Sequence, residues 1–219
     1  MKYVIVGVHL RREDVEPLAV PLPCRGSDPE GLWLSGIEVP DDQPLSDRDL
    51  LIRTATARAA LLERATFIAI RYGFAAHSER EVATKTAPHV DRWRKLLEAY
   101  RGEVEMTLKI AAAHPMARPV RGDFSSGTEY LTALHAASTS AEADPLFRAA
   151  VDEALRPLAV SSRWIHRDNS SIELAILLPR EKVEELRVAG ESLKQAFPRV
   201  PFLLSGPWPL EVFADADHE

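Results

Sequence analysis

Histidine, cysteine and clustered carboxylates are the residues that would do chemistry in this chain, and their spacing supports little of it. The seven histidines, His9, His77, His89, His114, His135, His166 and His218, include no i, i+4 pair and no His-Glu-x-x-His, the spacings that let two imidazoles reach one metal ion from a helix. They are expected at the surface or at the edge of a core. Gly122 and Gly127 have the spacing of a phosphate loop, but Thr128-Glu129 stands where Lys-Ser/Thr is required, and a carboxylate there repels phosphate. The single cysteine, Cys24, lies among prolines with no motif pairing it to a base, and Gly-x-Ser-x-Gly is absent. Carboxylates gather at helix starts, as Asp47, Asp49, Glu79 and Glu81 do, or alternate along a strand, as Glu103 and Glu105 do. Capping and solubility account for them there. No catalytic residue, metal ligand or cofactor is expected, and the chain does not read as an enzyme.

Two features look instead like contact surfaces. Arg71 follows an apolar strand and could pair with a carboxylate or bind an anion, the pairing being favoured. The terminal stretch Pro201 to Phe213 carries an apolar run that ends in Gly206-Pro207-Trp208-Pro209. Proline fixes its own φ and cannot donate to a ladder, so Pro207 and Pro209 should stop the strand and pre-order the chain around Trp208. Residue types favour Trp208 and Phe213 lying over the final strand as its lid, with presentation of Trp208 to another protein as the alternative.

Composition limits the partners. The chain has 219 residues, 46% hydrophobic and 27% charged, with a formal net charge of -6, enough for one large or two small cores. An acidic balance without a basic stripe argues against nucleic acid and anionic membrane surfaces. The apolar run at Tyr3 to Val8 is short for a signal peptide and no stretch has membrane-spanning length, so a soluble cytoplasmic protein is expected.

The elements that must position these residues follow from periodicity. Strands are predicted at Tyr3–Val8, Leu32–Val39, Thr66–Ile70, Ser161–Arg167, Ile172–Leu178 and Val200–Ser205. Glu103 to Ile110 alternates without error and should set Val104, Met106, Leu108 and Ile110 on one face. Ser46, Ser78 and Ser126 are each followed three residues later by a carboxylate, predicting helix starts at all three. Pro88 should split the second of these helices. Further helices are predicted over Ala143 to Leu158, facing inward through Ala143, Phe147, Ala150, Ala154 and Leu158, and from Pro179 through Val183, Leu186, Gly190, Leu193 and Phe197. His114 to Ser125 reads as a loop, and Asp168-Asn169-Ser170-Ser171 as a hairpin turn. From Gly102 the order strand, helices, strand, strand, helix, strand is that of a ferredoxin-like fold with an extra helix. The expected organisation is α+β with two domains, a smaller one over residues 1–101 and a ferredoxin-like one over residues 102–219.

Several of these segments resemble the gas vesicle protein F and L family, GvpF/GvpL. Ile68-Ala69-Ile70-Arg71-Tyr72-Gly73 is similar to its LPxRFG segment, and Glu103 to Lys109 to its following strand. Ser126-Gly127-Thr128-Glu129-Tyr130-Leu131 is similar to its sGxxYL helix start, Asn169 to Leu178 to its apolar strand, and Gly206-Pro207-Trp208-Pro209 with Phe213 to its terminal GPWPPYxF. Leu210-Glu211-Val212 replaces the usual proline and tyrosine, and Tyr72 replaces phenylalanine. The resemblance implies a two-domain, non-enzymatic component of gas vesicles that binds the shell protein or accessory proteins during assembly. Trp208, Pro207, Pro209, Phe213 and Arg71 are the candidate contact residues. The alternative is a ferredoxin-like domain that binds a small ligand or regulates, using Arg71 or the loop from His114.

Overall fold

The computed structural model describes residues 1–13, 15–24, 31–111, 119–139, 144–168 and 171–215. It divides into two compact units, Met1–Val104 with Trp208–Glu219, and Glu105–Pro207. Helix and sheet are mixed, and each unit is built on one antiparallel sheet.

In the first unit the sheet order is β2 (Val20–Pro23), β3 (Trp33–Val39), β1 (Lys2–His9) and β4 (Phe67–Ala69), with β5 (Ala75–Ala76) also on β1. β1 is central and apolar on both sides, which is why Val4, Ile5, Val6 and Val8 are all fully buried. Helix α1 (Arg48–Arg64) packs on β1 and β4. Its Leu50, Ala57 and Leu61 join Val4, Val6, Ile37, Val39 and Phe67 in one core. Leu22, Leu34 and Cys24 have the opposite parity, and there the Thr86 hydroxyl of α2 (Glu79–Thr86) bonds the Cys24 thiol. Burial pushes that thiol up to about 11, so it is a packing group and not a nucleophile.

Helix starts follow the sequence with one shift. Ser78 accepts from Glu81 N at 3.1 Å. Ser126 accepts from Glu129 N at 3.1 Å while Ser126 N donates back to the Glu129 carboxylate at 3.3 Å, a reciprocal capping box at the start of α4 (Gly127–Thr139). At α1 the cap is Asp47 and not Ser46, because the Asp47 carboxylate reaches the N–H groups of Asp49 and Leu50 at 2.7 and 3.2 Å. Pro88 divides α2 from α3 (Val90–Ala99) through a 3₁₀ turn, as its missing N–H requires.

In the second unit the sheet order is β7 (Ser161–Asp168), β8 (Ser171–Pro179), β6 (Glu103–Ala111) and β9 (Phe202–Trp208). Helices α4, α5 (Pro145–Leu155) and α6 (Val183–Ala196) complete it. The expected face of Val104, Met106, Leu108 and Ile110 is buried. Glu105, read from sequence as solvated, is also buried at 2% exposure. Ala175 and Leu177, which alternate with Leu174, Ile176 and Leu178 along β8, are buried as well, so this strand is buried on both faces. Helix α5 faces inward through Phe147, Val151 and Leu155, one row at i, i+4, i+8, and not through the expected Ala150, Ala154 and Leu158. Phe147 fixes that row, lying 5.2 Å from the rings of both Phe197 and Phe202. On α6, Val183, Leu186, Gly190 and Leu193 are buried as predicted. On α4, Leu131 is exposed and Tyr130 is half-buried against Phe124. Residues 169–170 of the predicted hairpin turn, 114–118 of the predicted loop and Ala143 lie outside the described residues.

Among the histidines whose burial is described, one departs from the surface expectation. His9 is fully buried in β1. Its Nδ1–H donates to the Arg11 carbonyl, which leaves Nε2 to accept from the Ser35 hydroxyl at 3.0 Å. Burial lowers its pKa from 6.5 to about 4. The unfolded chain therefore takes up the proton first, so the stability contributed by neutral His9 is complete above pH 6.5 and is lost as pH falls from there toward 4. The loss is on the order of 3 kcal/mol across that window. Urea unfolding of wild type between pH 7 and pH 4.5 should show this slope, and His9→Gln should lack it. Glu103, pushed up by burial, acts in the opposite direction and is common to both proteins.

Candidate partner-binding surface

The terminal segment is positioned in two steps, one in each unit. In the second unit β9 is an edge strand beside β6. Phe202 and Leu204 point toward the helices, Phe202 onto Phe147 and Leu204 over Gly190. A Cβ at residue 190 would lie 2.6 Å from Leu204 Cδ2, which explains a glycine inside the apolar row of α6. Gly206 has φ +122°, and a Cβ there would meet Met106 Sδ at 2.6 Å and the Glu105 carbonyl at 3.0 Å. Its own carbonyl accepts from Arg187 Nη2 at 3.0 Å.

The strand does not stop before Pro207 as the sequence suggested. It runs through a cis Gly206-Pro207 peptide to Trp208. An edge strand has one side whose N–H groups need no partner, so a proline is tolerated there. Leu203, of the opposite parity to Phe202 and Leu204, is 61% exposed.

In the first unit the chain from Trp208 docks on β4. Leu210 N donates to the Phe67 carbonyl at 2.9 Å and Ala69 N donates to the Leu210 carbonyl at 3.2 Å, making a one-residue parallel bridge to Ile68. Leu210 is fully buried and Phe213 is 1% exposed. Arg92 Nη2 donates to the Ala214 carbonyl. Beside this segment Arg58 of α1 donates from Nε to the Val6 carbonyl at 3.3 Å and from Nη2 to the Ile70 carbonyl. Burial lowers the Arg58 pKa while the Glu211 carboxylate opposes that shift.

The five predicted contact residues therefore separate. Phe213 is a core residue of the first unit, whereas the lid reading set it over the final strand, which belongs to the second. Trp208 is not a core residue: it is 46% exposed, because its neighbours and not its own ring hold the segment in place. Pro207 and Pro209 are half-buried on either side of it. Arg71 is exposed and makes no ion pair or side-chain hydrogen bond among the described residues, so the expected carboxylate partner is not found there. The arginine that turns inward beside the segment is the half-buried Arg58, which sequence reasoning missed. Its signal was its place beside the inward residues Thr54, Ala57 and Leu61. Leu210, which had stood out only as a departure from the family pattern, is the anchor. Among the described residues no three His, Cys, Asp or Glu side chains converge as metal ligands do, and no helix is long and apolar enough to cross a membrane.

These placements predict opposite outcomes for the two aromatics. Phe213→Ala should destabilise the protein by about 3 to 5 kcal/mol. Trp208→Ala should cost less than about 1 kcal/mol. Denaturant unfolding of the two variants beside wild type measures both.

The fold and the terminal segment have counterparts in known proteins. The family model for gas vesicle synthesis protein GvpL/GvpF matches residues 30–214. No curated protein sequence matches significantly. Among solved structures, the gas vesicle protein GvpF from Anabaena sp. PCC7120 aligns over 99% of this chain and 97% of its own, at 17% identity and a TM-score of 0.67. GvpF from Microcystis aeruginosa aligns over 98% of each chain, at 15% identity and a TM-score of 0.69. Such identities speak to the fold alone, whereas the family model covers most of the sequence. On that match the chain belongs to the gas vesicle GvpL/GvpF family, which supports a role in gas vesicles.

Proposed function

We propose that this chain is a non-enzymatic assembly factor or minor component of gas vesicles, acting in the cytoplasm by binding the shell protein or other accessory gas vesicle proteins while vesicles form. The observation that carries the reading is the exposed Trp208. An indole left in water beside two prolines, with Leu210 and Phe213 anchored a few residues on, is held out at little entropic cost for a partner to cover. Leu203 offers a further apolar contact on the edge strand β9, whose free side can accept a strand. Shell subunits that expose apolar surface before they assemble need such a partner to avoid aggregation. Arg71, exposed and unpaired among the described residues, is available for a carboxylate of the partner.

The same reading takes the second unit as a ferredoxin-like domain with an extra helix. Support comes from its strand order: numbered within the unit, β6, β7, β8 and β9 lie as 2-3-1-4. The proposed boundary between the domains lies at residues 101 and 102, with the closing residues from Trp208 completing the first.

Co-purification with the small shell protein, at low and at high salt, tests the function. Capture that survives high salt is expected for an apolar contact, and Trp208→Ala should reduce it about tenfold or more while leaving the melting temperature unchanged. Capture unaffected by Trp208→Ala would move the contact elsewhere, and no capture at either salt would overturn shell binding.

A further inference from the structure

Helix α1 is amphipathic in an unusual sense, because the side turned away from the sheet is also largely apolar. Leu50, Thr54, Ala57 and Leu61 face inward. On the far side lie Ile52, Ala55, Thr56 and Ala59, all exposed, with Leu51 beside them. Leu51 is 44% and Ile52 53% exposed. The Thr56 hydroxyl is bonded to the Ile52 carbonyl at 2.9 Å, so a surface laid over it strands no polar group. A stripe of this kind on the outside of a soluble protein calls for a cover.

The charges at its ends say which. Arg48 lies at the N-terminal end of the stripe and Glu63 at the C-terminal end, both exposed, and neither forms an ion pair among the described residues. We infer that the far side of α1 is a two-fold dimer interface, on which α1 of a second copy of this chain packs antiparallel. With the axis between Ala55 and Thr56, Arg48 comes level with Glu63 of the second copy, and Ile52 with its Ala59. Ile52 thus faces a small residue and Arg48 its opposite charge, the self-complementarity that an isologous contact demands. Antiparallel helices that bring small residues against large ones pack closely. The paired stretch is about 22 Å long, at the small end of specific interfaces, so the dimer is expected to dissociate with a constant on the order of tens of micromolar. This inference is independent of shell binding.

Sedimentation equilibrium of the full chain across a concentration series tests it. Wild type should pass from monomer to dimer, and Ile52→Glu, an exposed substitution that leaves the fold intact by circular dichroism, should remain monomeric. Arg48→Glu and Glu63→Arg should each weaken the dimer about tenfold, because each sets like charges face to face twice, and the double reversal should restore it. Ala55→Cys should give a disulfide-linked dimer on oxidation, while wild type, whose only cysteine is buried, should not. A chain that stays monomeric at about 200 μM, tenfold above the expected constant, would overturn the proposal. So would a dimer indifferent to Ile52→Glu, or single charge reversals that the double reversal fails to rescue.

Discussion

The first unit is closed by the end of the chain. β4 is three residues long, too short to hold itself on a sheet edge, and what lies against it is Leu210 through two backbone hydrogen bonds. Burial of Leu210 and Phe213 contributes roughly 1.5 to 3 kcal/mol for each side chain, and the Arg92 contact to the Ala214 carbonyl spans 122 residues of sequence. Contacts of that separation close a long loop and are non-local in the sense that slows folding. The first unit is therefore completed only after the chain has passed through the second, and Gly206 stands just before the return. Its φ of +122° and the absence of a side chain let β9 pass close against Met106 there.

Arg58, His9 and Cys24, polar groups inside the first unit, find their partners within it. Arg58 spreads its guanidinium over two carbonyls at the β1 and β4 edges, so a charge that burial disfavours is matched by acceptors and by nearby Glu211. His9 is satisfied on both ring nitrogens, and Cys24 is shielded with its thiol protonated. A search of the sequence for reactive residues finds His9 and Cys24 by type, and burial then holds each in its neutral form.

The contrast between Trp208 and Phe213 shows where residue type stops being informative. Both are large aromatics, five residues apart in one short segment, and residue type favours burying both. The neighbour geometry decides otherwise: Leu210 and Phe213 take the available space beside β4, and Trp208 is left outside. On α1 the inward row was legible from its spacing, but the outward row was not recognised as a surface, because Ala55, Thr56 and Ala59 are ordinary helix residues until their exposure is known.

Sequence alone determined what depends on local chemistry. The caps at Ser78 and Ser126, the split at Pro88, the alternation of β6 and the inward row of α6 are set by contacts between near neighbours, and they were readable for that reason. The family resemblance was legible too, since it rests on short motifs in order. The tertiary structure alone decided which strand pairs with which, that Glu105 and His9 are buried, that β9 carries a proline because it lies at an edge, and that the last residues join the first unit. Those outcomes depend on residues tens to more than a hundred positions apart meeting in space, and no local pattern encodes such a meeting.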